Sequence, residues 1–336
     1  MKIMIMHGEV PADAPEDEKD VLVEVESVKE ALLFLGHDVN ICVVNFDMFA
    51  KPPSEWSFCP DLVFNLVESI CGKGRYIHLT PSLLQYWGLP FTGAKMEAMF
   101  MTSNKIVAKQ ILQSKHIMTA NWITAGFSHE ERISCNFPYI VKSIWEHASI
   151  GLNDKSIYHD ERKLKDQLDL LERNDPGNWF AEKFIDGREF NISIIEKNGT
   201  PHVLPISEIE FVDFAPDKPR IVGYRAKWDE NSIEYKNTRR TFKTDPVDQE
   251  LFEKLTDISL KCWNLFQLNG YARVDFRVNS KSLPYVLEVN ANPCLSPDSG
   301  FIAACAKAGM RYPNVIEAIV RSATQIPKVR GVQCFE

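Results

Sequence analysis

The sequence predicts an α/β protein whose later part has α+β character, with a parallel sheet near the start and antiparallel hairpins further on. The first observation is a strand–helix–strand opening, in which apolar runs at 1–8 and 37–46 flank an amphipathic segment that ends at Gly36. The second is a pair of hairpin patterns that turn at 198–199 and 279–283. The third is the composition of the 336 residues, 45% hydrophobic and 25% charged, which is typical of a folded globular protein.

The first 92 residues are predicted to form one α/β domain. An apolar run at 60–69 adds a third strand to the opening, and a short helix then runs into a Gly-Leu-Pro turn. The next segment is predicted to be one long helix from about Lys95 to Lys115, with Lys105 near its middle.

The rest of the chain is predicted to hold two further domains. Apolar runs at 138–145 and 179–185 are typical of strands, and the charged stretch between them, 160–174, is typical of a helix. The two hairpins follow, and apolar segments at the end predict two closing helices. The predicted domain boundaries are 1–92, 93–181 and 182–336.

The charge and the cysteines argue against several classes of partner. With 46 acidic against 38 basic residues and a net charge of -8, we expect neither general nucleic-acid binding nor attraction to an anionic membrane. The eight cysteines are scattered, so we expect reduced thiols and no structural zinc site. The start lacks the pattern of a signal peptide, and no apolar run is long enough to span a bilayer. We therefore expect a soluble, cytoplasmic protein.

The strand YVLEVN at 285–290 has an unusual distribution of polar residues. Strict alternation places Glu288 and Asn290 on the same face as Val286. A carboxylate beside an amide in an apolar strand is costly unless something binds them. The strand therefore predicts a ligand.

Polar residues of two neighbouring strands are predicted to converge. In ARVDFRV, Arg273, Asp275 and Arg277 alternate with apolar residues and share one face. If this strand pairs with the next, Asp275, Glu288 and Asn290 meet, and their oxygens are the ligands expected for Mg²⁺ shared with phosphates. The residues alone leave a second interpretation open, in which Asp275 pairs with a neighbouring arginine and Glu288 forms a salt bridge across the hairpin.

Two lysines and one irregular segment are candidates for phosphate binding. Lys142 lies at the end of an apolar strand, where a buried ammonium group needs an anion, and Lys105 lies among apolar residues. Either lysine alone is also typical of a solvated surface. The segment 211–240 holds prolines and charges without periodicity, and its length indicates either a functional lid or a flexible surface insertion.

Six short motifs follow one another along the chain: NK at 104–105, IVK at 140–142, EHASIG at 146–151, EKFIDGRE at 182–189, RVD at 273–275 and LEVNANP at 287–293. Taken in this order, they resemble the ATP-grasp superfamily and, within it, the D-alanine–D-alanine ligase family. The phrases GLPFTG and PYIVKS and the closing helix are similar to the same family, and the resemblance covers about Asp61 to Ala323.

The resemblance implies an ATP site in an ATP-grasp fold, with an N-terminal parallel α/β domain, a central lid subdomain and a C-terminal antiparallel-sheet domain. In this family the segment 211–240 corresponds to a mobile lid that carries a lysine to the γ-phosphate. The residues implied to contact ATP are Lys105 and Lys142 at the phosphates, Glu182, Lys183, Phe184 and Ile185 at the adenine, Glu189 at the ribose and Lys227 at the γ-phosphate.

The resemblance also implies a carboxylate–amine ligase. A substrate carboxylate attacks the γ-phosphorus of ATP to give an acyl phosphate, which an amine then attacks. Asp275, Glu288 and Asn290 are implied to hold two Mg²⁺ ions, or Mn²⁺ in their place, with Glu288 as the bridge. Arg273 is implied to stabilise the oxyanion, and Ser149, in the loop that closes over the phosphates, and Lys227 are further catalytic candidates. The family implies a homodimer.

The sequence departs from the family pattern on the substrate side. The region HGEVPADAPEDEKDVLVEVES aligns poorly, and either Glu24 or Glu26 is a candidate for binding the first amino group, although acidic residues on a helix are more often simply exposed. We expect Cys294 to be a packing residue rather than a nucleophile. The departures lie at Ala148 and Ser149, Trp228, Cys294, and Ser299 and Gly300.

Because such groups set substrate discrimination, we predict a ligase with an altered substrate site that joins small amino-acid-like molecules. Three alternatives stay open at this stage. They are an authentic D-alanine–D-alanine ligase, an ATP-grasp kinase that phosphorylates a hydroxyl group, and a nucleotide-binding regulatory protein.

Overall fold

The structure is a computed structural model and describes residues 1–11, 13–125, 137–146, 152–243 and 245–324. In these ranges, no helix is both long and apolar enough to cross a membrane. The strands are β1 (Lys2–Gly8), β2 (Asp38–Val44), β3 (Leu62–Asn65), β4 (Trp122–Thr124), β5 (Tyr139–Ser143), β6 (Ile157–Tyr158), β7 (Trp179–Lys183), β8 (Arg188–Lys197), β9 (Thr200–Val203), β10 (Ser207–Phe211), β11 (Thr238–Thr241), β12 (Tyr271–Val278) and β13 (Pro284–Asn290). The α-helices are α1 (Glu16–Phe34), α2 (Leu79–Tyr86), α3 (Met96–Ser103), α4 (Lys105–Ser114), α5 (Glu161–Asn174), α6 (Tyr224–Trp228), α7 (Ile233–Asn237), α8 (Gln249–Leu265), α9 (Gly300–Lys307) and α10 (Tyr312–Thr324).

The first sheet is parallel, with β1 hydrogen-bonded between β2 and β3. Helix α1 buries Val21, Val25 and Val28 in the same core cluster as Ile3 of β1. Their spacing of four and three residues gives one apolar stripe along the helix. Gly36 follows the helix with a φ of +80°, a left-handed conformation that favours glycine. The predicted strand–helix–strand opening is confirmed.

The single long helix predicted between Lys95 and Lys115 is wrong, because the chain breaks it at Asn104. Asn104 has an extended conformation, with a φ of -85° and a ψ of 102°. Its side-chain oxygen accepts hydrogen bonds from the backbone N–H groups of Ile106 and Val107, both at 3.0 Å, and thereby caps α4. Lys105 therefore lies at the first residue of α4 and not in the middle of a helix.

Two antiparallel sheets make up the rest of the strands. One has the order β4-β7-β5-β6, and α5 buries Leu164 and Leu168 against it. The other has the order β11-β10-β8-β12-β13, with β9 beside β8. Asn198 and Gly199 turn between β8 and β9 with φ angles of +53° and +75°, as a tight hairpin requires. Both predicted hairpins are confirmed, and so is the mixed α/β class.

Strand β13 contains a bulge opposite the step from Asp275 to Phe276. Phe276 pairs with Val286, whereas Asp275 pairs with Glu288, so Leu287 is the additional residue. The strict alternation predicted for this strand is therefore wrong. Glu288 shares a face with Asp275, and Val286 packs into the core on the other face.

Candidate active site

Three rows of side chains cross one face of the larger antiparallel sheet, because directly paired residues on neighbouring strands share a face. The other face carries Phe190, Val274 and Phe276 and packs with α8 into the core. The rows run from β8 through β12 to β13 and are Glu189–Arg277–Tyr285, Asn191–Asp275–Glu288 and Ser193–Arg273–Asn290.

Asp275 lies at the centre of this face and is only 8% exposed. Arg273 donates to both of its carboxylate oxygens at 2.8 Å, through Nε and Nη2. The side-chain amide of Asn191 donates to Oδ1, also at 2.8 Å. The ion pair considered as an alternative at the sequence level is thus present, and a metal-binding role for Asp275 stays a prediction. Asn191 was missed, although its spacing of two from Glu189 places both residues on one strand face.

The carboxylate of Glu288 lies within electrostatic range of three cationic side chains. Burial lowers the pKa of Lys105, and the charge of Glu288 offsets part of that shift. Burial and the nearby guanidinium of Arg273 lower the pKa of Lys227, and Glu288 again acts in the opposite direction. Burial alone would lower the pKa of Arg273, but Asp275 and Glu288 outweigh it and raise the pKa. The structure therefore brings three predicted site residues together around the carboxylate of Glu288. They are Lys105, Lys227 and Arg273.

Glu182, on β7, forms ion pairs with two lysines. Lys142 Nζ donates to Oε1 at 2.6 Å, and Lys109 Nζ lies 2.5 Å from Oε2. Lys109 also donates to Thr119 Oγ1 at 2.8 Å and to the carbonyl oxygen of Ala120 at 3.2 Å. Burial alone would raise the pKa of Glu182, but the two ammonium groups lower the pKa to about 2. Glu182 is the anion that the sequence required beside Lys142.

Lys109 was missed by the sequence reasoning, although its spacing is a signal. It follows Lys105 by four residues on α4, so both ammonium groups leave the same face of the helix. Lys105 Nζ donates to the carbonyl oxygen of Glu146 at 2.6 Å, at the start of the EHASIG loop. The two lysines therefore connect α4 to the loop and to β7.

The segment predicted to line the adenine is held by its backbone. The N–H of Lys183 donates to the carbonyl oxygen of Asn121 at 2.8 Å, and the N–H of Phe184 donates to that of Pro138 at 3.0 Å. Ile185, which follows, is half-buried. The backbone N–H groups of Lys183 and Phe184 are therefore already hydrogen-bonded within the protein. The adenine role of this segment stays a prediction.

Arg277 links the predicted ribose residue to the predicted lid. Its Nη2 lies 3.0 Å from Glu189 Oε2, and Nη1 donates to the carbonyl oxygen of Gly187 at 3.0 Å. Nη2 also donates to the carbonyl oxygen of Arg220, at the centre of the segment 211–240. Gly187 has a φ of +142°, and a Cβ there would lie 2.0 Å from the carbonyl oxygen of Val278. Only glycine therefore lets the chain approach β12 this closely.

The segment 211–240 packs against the chain that follows the EHASIG loop. The N–H of Tyr224 donates to the carbonyl oxygen of Leu152 at 3.0 Å, and Lys218 Nζ lies 3.5 Å from Asp154 Oδ2. A Cβ at Gly223 would lie 2.7 Å from the same Leu152 oxygen. The segment is thus docked, with Lys227 on its short helix α6. Ser149, the predicted catalytic residue of the loop, lies outside the described residues.

Of the two glutamates considered for the first amino group, Glu24 is the buried one, and it contacts the loop after β13. It is 3% exposed and accepts a hydrogen bond from the N–H of Leu295 at 2.6 Å. Burial raises the pKa of Glu24 well above its usual range, and the charge of Glu68 adds to the shift. Glu26 lies on the exposed side of α1 and pairs with Lys29 at 2.9 Å.

A cleft of about 110 Å³ opens beside Asn290, between the first sheet, α3 and the end of β13. Its charged lining residues are Glu9, Glu18, Glu68 and Glu146, and among the described residues no lysine or arginine lines it. A cleft with this lining favours an ammonium group over an anion.

Cys294 lies in the loop between β13 and α9, where it belongs to a hydrogen-bonded cluster with Asp20 of α1. Its Sγ donates to Asp20 Oδ2 at 3.2 Å, and Ser296 Oγ donates to Oδ1 at 3.1 Å. Burial raises the pKa of Cys294 well above its usual range, as does the charge of Glu24. The thiol therefore stays protonated and packs, in line with the expectation that it is not a nucleophile.

The donor set around Glu288 fits a magnesium ion that shares its ligands with phosphates. In the described part of the chain, no three His, Cys, Asp or Glu side chains gather to hold a metal on their own. Asp275 and Glu288 are Cα partners, and Asn290 follows Glu288 by two residues. One or two carboxylates completed by phosphate oxygens are what Mg²⁺ ordinarily accepts.

Comparison with known proteins decides the family. A family model described as the D-ala D-ala ligase C-terminus matches residues 108–321, well over half of the chain. The chain belongs to this family. The resemblance predicted from the motifs is thereby confirmed, and the protein is a D-alanine–D-alanine ligase-like, ATP-dependent ligase. Membership of the family implies ATP and a divalent metal ion.

Individual relatives of this D-alanine–D-alanine ligase-like chain agree in length and fold. The D-alanine–D-alanine ligase of Pseudothermotoga lettingae is 27% identical over 330 residues, which cover 97% of this chain and 100% of the relative. The D-alanine–D-alanine ligase of Bacillus anthracis, solved in complex with ATP, has a TM-score of 0.75 at 22% identity and covers 97% of this chain and 98% of its own. The D-alanyl-alanine synthetase A of Vibrio cholerae has a TM-score of 0.77 at 16% identity and covers 96% and 98%. The predicted ATP-grasp fold is confirmed.

Proposed function

We propose that the protein joins the carboxylate of one small amino-acid-like substrate to the amine of another, through an acyl phosphate made from ATP. The observation that carries this proposal is the row Asn191–Asp275–Glu288, which faces Lys227 on the docked segment. It brings the proposed oxygen ligands of a metal and the ammonium group of Lys227 to one point. D-alanine, the substrate in the names of the relatives, is one candidate for either position.

The proposal gives a role in this reaction to five charged residues of the site. Lys105, Lys142 and Lys227 supply the positive charge that the ATP phosphates require. Two Mg²⁺ ions, replaceable by Mn²⁺, would be held by Asp275 and its neighbours on β13, and would neutralise charge on the transferring phosphoryl group. Arg273, which contacts Asp275, would stabilise an oxyanion at the acyl carbon. The docked segment would exclude water, which would otherwise hydrolyse the acyl phosphate.

An ADP-release screen tests the proposed function. The enzyme is supplied with Mg-ATP and with pairs of amino acids of both configurations, and product masses are measured. We expect at least one pair to release ADP well above either amino acid alone and to give a dipeptide of the summed mass less water. ADP release that needs only an alcohol and no amine would indicate a kinase instead, and no release with any pair would contradict the proposal.

We further propose that the substrate site differs from that of the named relatives. The support is the acidic cleft beside Asn290, together with the cluster that Cys294 and Ser296 form with Asp20. Both lie where the sequence departs from the family pattern. Buried hydrogen-bonding groups set discrimination between substrates, so changed groups there change the preferred amino acid.

The replacement Glu24→Gln is expected to raise the KM of the first substrate about tenfold or more, because a charged contact to its ammonium group is lost. Glutamine can still accept the N–H of Leu295, so the fold is kept. The pKa of Glu24 is raised in the folded state, so its contribution to stability is present at low pH and lost as pH rises through the folded pKa. The variant should therefore melt at a higher temperature than the wild type at pH 8, and this advantage should shrink in acid.

The matched control for this prediction is Glu26→Gln, on the exposed side of the same helix. It should change neither the KM values nor the pH dependence of melting. Unchanged KM values for both substrates in Glu24→Gln would contradict the assigned role.

The proposal also covers the domain division, the cellular location and the oligomeric state. We propose a division into domains at 1–92, 93–181 and 182–336, and a cytoplasmic location. We also propose a homodimer through the outer face of the first sheet, where α1 and the edge strand β2 expose an apolar surface. Its exposed side chains are Leu33, Phe34, Ile41 and Val43.

A further inference from the structure

Arg277 is a buried arginine on the site face of the larger antiparallel sheet, outside the six motifs that carry the family resemblance. On β12 it pairs with Glu189 of β8 on one side and with Tyr285 of β13 on the other. The side chain of Arg277 is 5% exposed, against 12% for that of Glu189. A charged group so far from water needs partners inside the protein, and those partners indicate its role.

The guanidinium of Arg277 contacts three chain segments at the predicted nucleotide site. Its Nη2 lies 3.0 Å from Glu189 Oε2, and Nη1 donates to the carbonyl oxygen of Gly187 at 3.0 Å. Nη2 also donates to the carbonyl oxygen of Arg220, in the segment 211–240. One planar group therefore holds the predicted ribose carboxylate, the turn before β8 and the predicted lid relative to one another.

Two phenylalanine rings lie within cation–π distance of the same guanidinium. The Cζ of Arg277 is 5.8 Å from the ring centroid of Phe184, in the segment predicted to line the adenine. It is 5.6 Å from the ring centroid of Phe211, the first residue of the segment 211–240. Attraction to the rings strengthens when the cation is away from water. These contacts favour one position of the guanidinium, so it can keep Glu189 in one orientation.

The carboxylate of Glu189 is held at one of its two oxygens. Its ion pair with Arg277 is through Oε2, and in the described part of the chain Oε1 accepts no hydrogen bond. Burial lowers the pKa of Lys227, and the charge of Glu189 opposes part of that shift, so the carboxylate lies within electrostatic range of the predicted lid lysine. A carboxylate oxygen can accept hydrogen bonds from hydroxyl groups, which suits Oε1 to a sugar.

We propose that Arg277 is a positioning residue for the nucleotide, which orients Glu189 toward the ribose hydroxyl groups and joins that contact to the docked segment 211–240. The inference rests on the proposed ATP-dependent function and adds a residue to its nucleotide site. A binding group that is already held in its bound orientation loses less conformational entropy when the ligand arrives. Removing Arg277 should therefore weaken the contact to the ribose and leave the contacts to the phosphates unchanged.

The test compares nucleotides with and without ribose hydroxyl groups, and it needs no turnover. Mg-ADP and Mg-2′,3′-dideoxy-ADP are titrated calorimetrically into the whole chain. We expect the wild type to bind ADP at least about tenfold more tightly than the dideoxy nucleotide. Arg277→Met should lose most of this preference through weaker binding of ADP, and it should bind the dideoxy nucleotide as the wild type does.

Two further variants separate positioning from a general effect on the fold. Glu189→Gln should also lose the preference, and adding Arg277→Met to it should change the preference no further, because both residues act through one contact. Arg277→Lys keeps a charge beside Glu189 and carries the test if the methionine variant does not fold. Its preference should lie between those of the wild type and of Glu189→Gln, and an unchanged preference in Arg277→Lys would contradict a role for the planar guanidinium.

The link to the segment 211–240 is tested by limited digestion with trypsin, with the cleavage sites located by mass. We expect Mg-ADP to slow cleavage within this segment in the wild type. In Arg277→Met the segment should be cut faster, and Mg-ADP should protect it less, because the contact to the Arg220 carbonyl oxygen is gone. Equal cleavage of the two proteins would overturn this part of the proposal.

The matched control is Arg188→Met. Arg188 precedes Glu189 on β8 and so points to the opposite face, where it forms ion pairs with Glu208 at 2.7 Å and with Asp248 at 2.6 Å. This control should keep both the wild-type preference for ADP and the wild-type cleavage pattern. A wild type that binds both nucleotides equally, or an Arg277→Met variant that weakens both alike, would overturn the role of Arg277 and leave the ligase function intact.

The binding experiment also distinguishes this proposal from the proposed function. A protein that prefers ADP through Arg277 but releases none with any pair of amino acids would support the positioning role and contradict the ligase. A wild type that does not bind Mg-ADP at all would overturn the nucleotide site, and the role of Arg277 with it.

Discussion

Replacing Glu288 with glutamine is expected to lower turnover by about a thousandfold or more while the protein stays folded. Glutamine has the same size and keeps one oxygen, but it removes the charge that Glu288 would supply as the proposed metal ligand. Charge stabilisation by a bound metal contributes several kcal/mol to a phosphoryl-transfer transition state, and about 1.4 kcal/mol corresponds to a factor of ten in rate. The measurement is ADP release with the best amino-acid pair at saturating ATP and increasing Mg²⁺.

The charges around Glu288 make the effect larger than the loss of one ligand. Lys105, Lys227 and Arg273 all lie within electrostatic range of its carboxylate. Without that carboxylate, the three cations face one another with less compensation, and the two lysines should have a still lower pKa. The charges proposed to bind the phosphates would then be weakened along with the proposed metal site.

The control for this prediction is Glu210→Gln, in the same sheet. Glu210 pairs at 2.5 Å with Lys243, whose side chain is 67% exposed, and such a pair contributes little. We expect that variant to retain wild-type turnover. If Glu288→Gln kept more than about a tenth of the wild-type rate with an unchanged Mg²⁺ dependence, the metal assignment would be wrong.

The pairing of the two strands that carry Asp275 and Glu288 could be predicted from the sequence, and the reason is local. A hairpin turn between two strands with polar residues at alternate positions leaves few registers in which they can pair. The bulge at Leu287 could not be predicted, because it depends on how β13 fits β12 and the core beneath both. Without the bulge, Glu288 would lie on the core face beside Val286.

Glu24 illustrates a signal that was present in the sequence but was not used. The buried residues Val21, Val25 and Val28 form one stripe of α1, and Glu24 lies three residues after the first and four before the last. Helical periodicity alone therefore places Glu24 on the buried face and Glu26 off it. What could not be predicted is the partner, since Leu295 lies in a loop at the far end of the chain.

The same distinction applies to α4. The break at Asn104 was predictable in principle, because asparagine is a preferred capping residue. The burial of Lys109 was not, because its partner Glu182 lies on a strand distant in the sequence. A charge can lie inside the protein only when tertiary structure supplies the opposite charge, and no local pattern reports that.

Replacing Lys109 with methionine is expected to lower the free energy of unfolding by about 3–5 kcal/mol, because it leaves part of the Glu182 charge buried without its partner. Lys109 and Glu182 are each 1% exposed, so water cannot replace the lost ammonium group. The side chain of Thr119, which accepts from Lys109 at 2.8 Å, loses its donor as well. Chemical denaturation at pH 7 measures the effect.

The pH dependence identifies the cause of that loss. The pKa of Glu182 is about 2 in the folded protein, against a usual value of 4.5, so its contribution to stability is complete above pH 4.5 and lost as pH falls toward 2. Removing one of its two ammonium partners raises the folded pKa. The difference between wild type and Lys109→Met should therefore be largest near neutral pH and should shrink below pH 4.5.

The matched control is Lys261→Met on α8, where Lys261 pairs with Asp257 at 2.6 Å and both side chains are 60% exposed. An exposed pair of this kind contributes about 0.5 kcal/mol or less, so the control should unfold nearly as the wild type does. A Lys109→Met variant as stable as this control, or a loss of stability that did not change with pH, would mean that methionine packs as well as the ion pair. In that case the role of Lys109 would be the charge that it adds beside Lys142 at the proposed phosphate site, and not the stability of the fold.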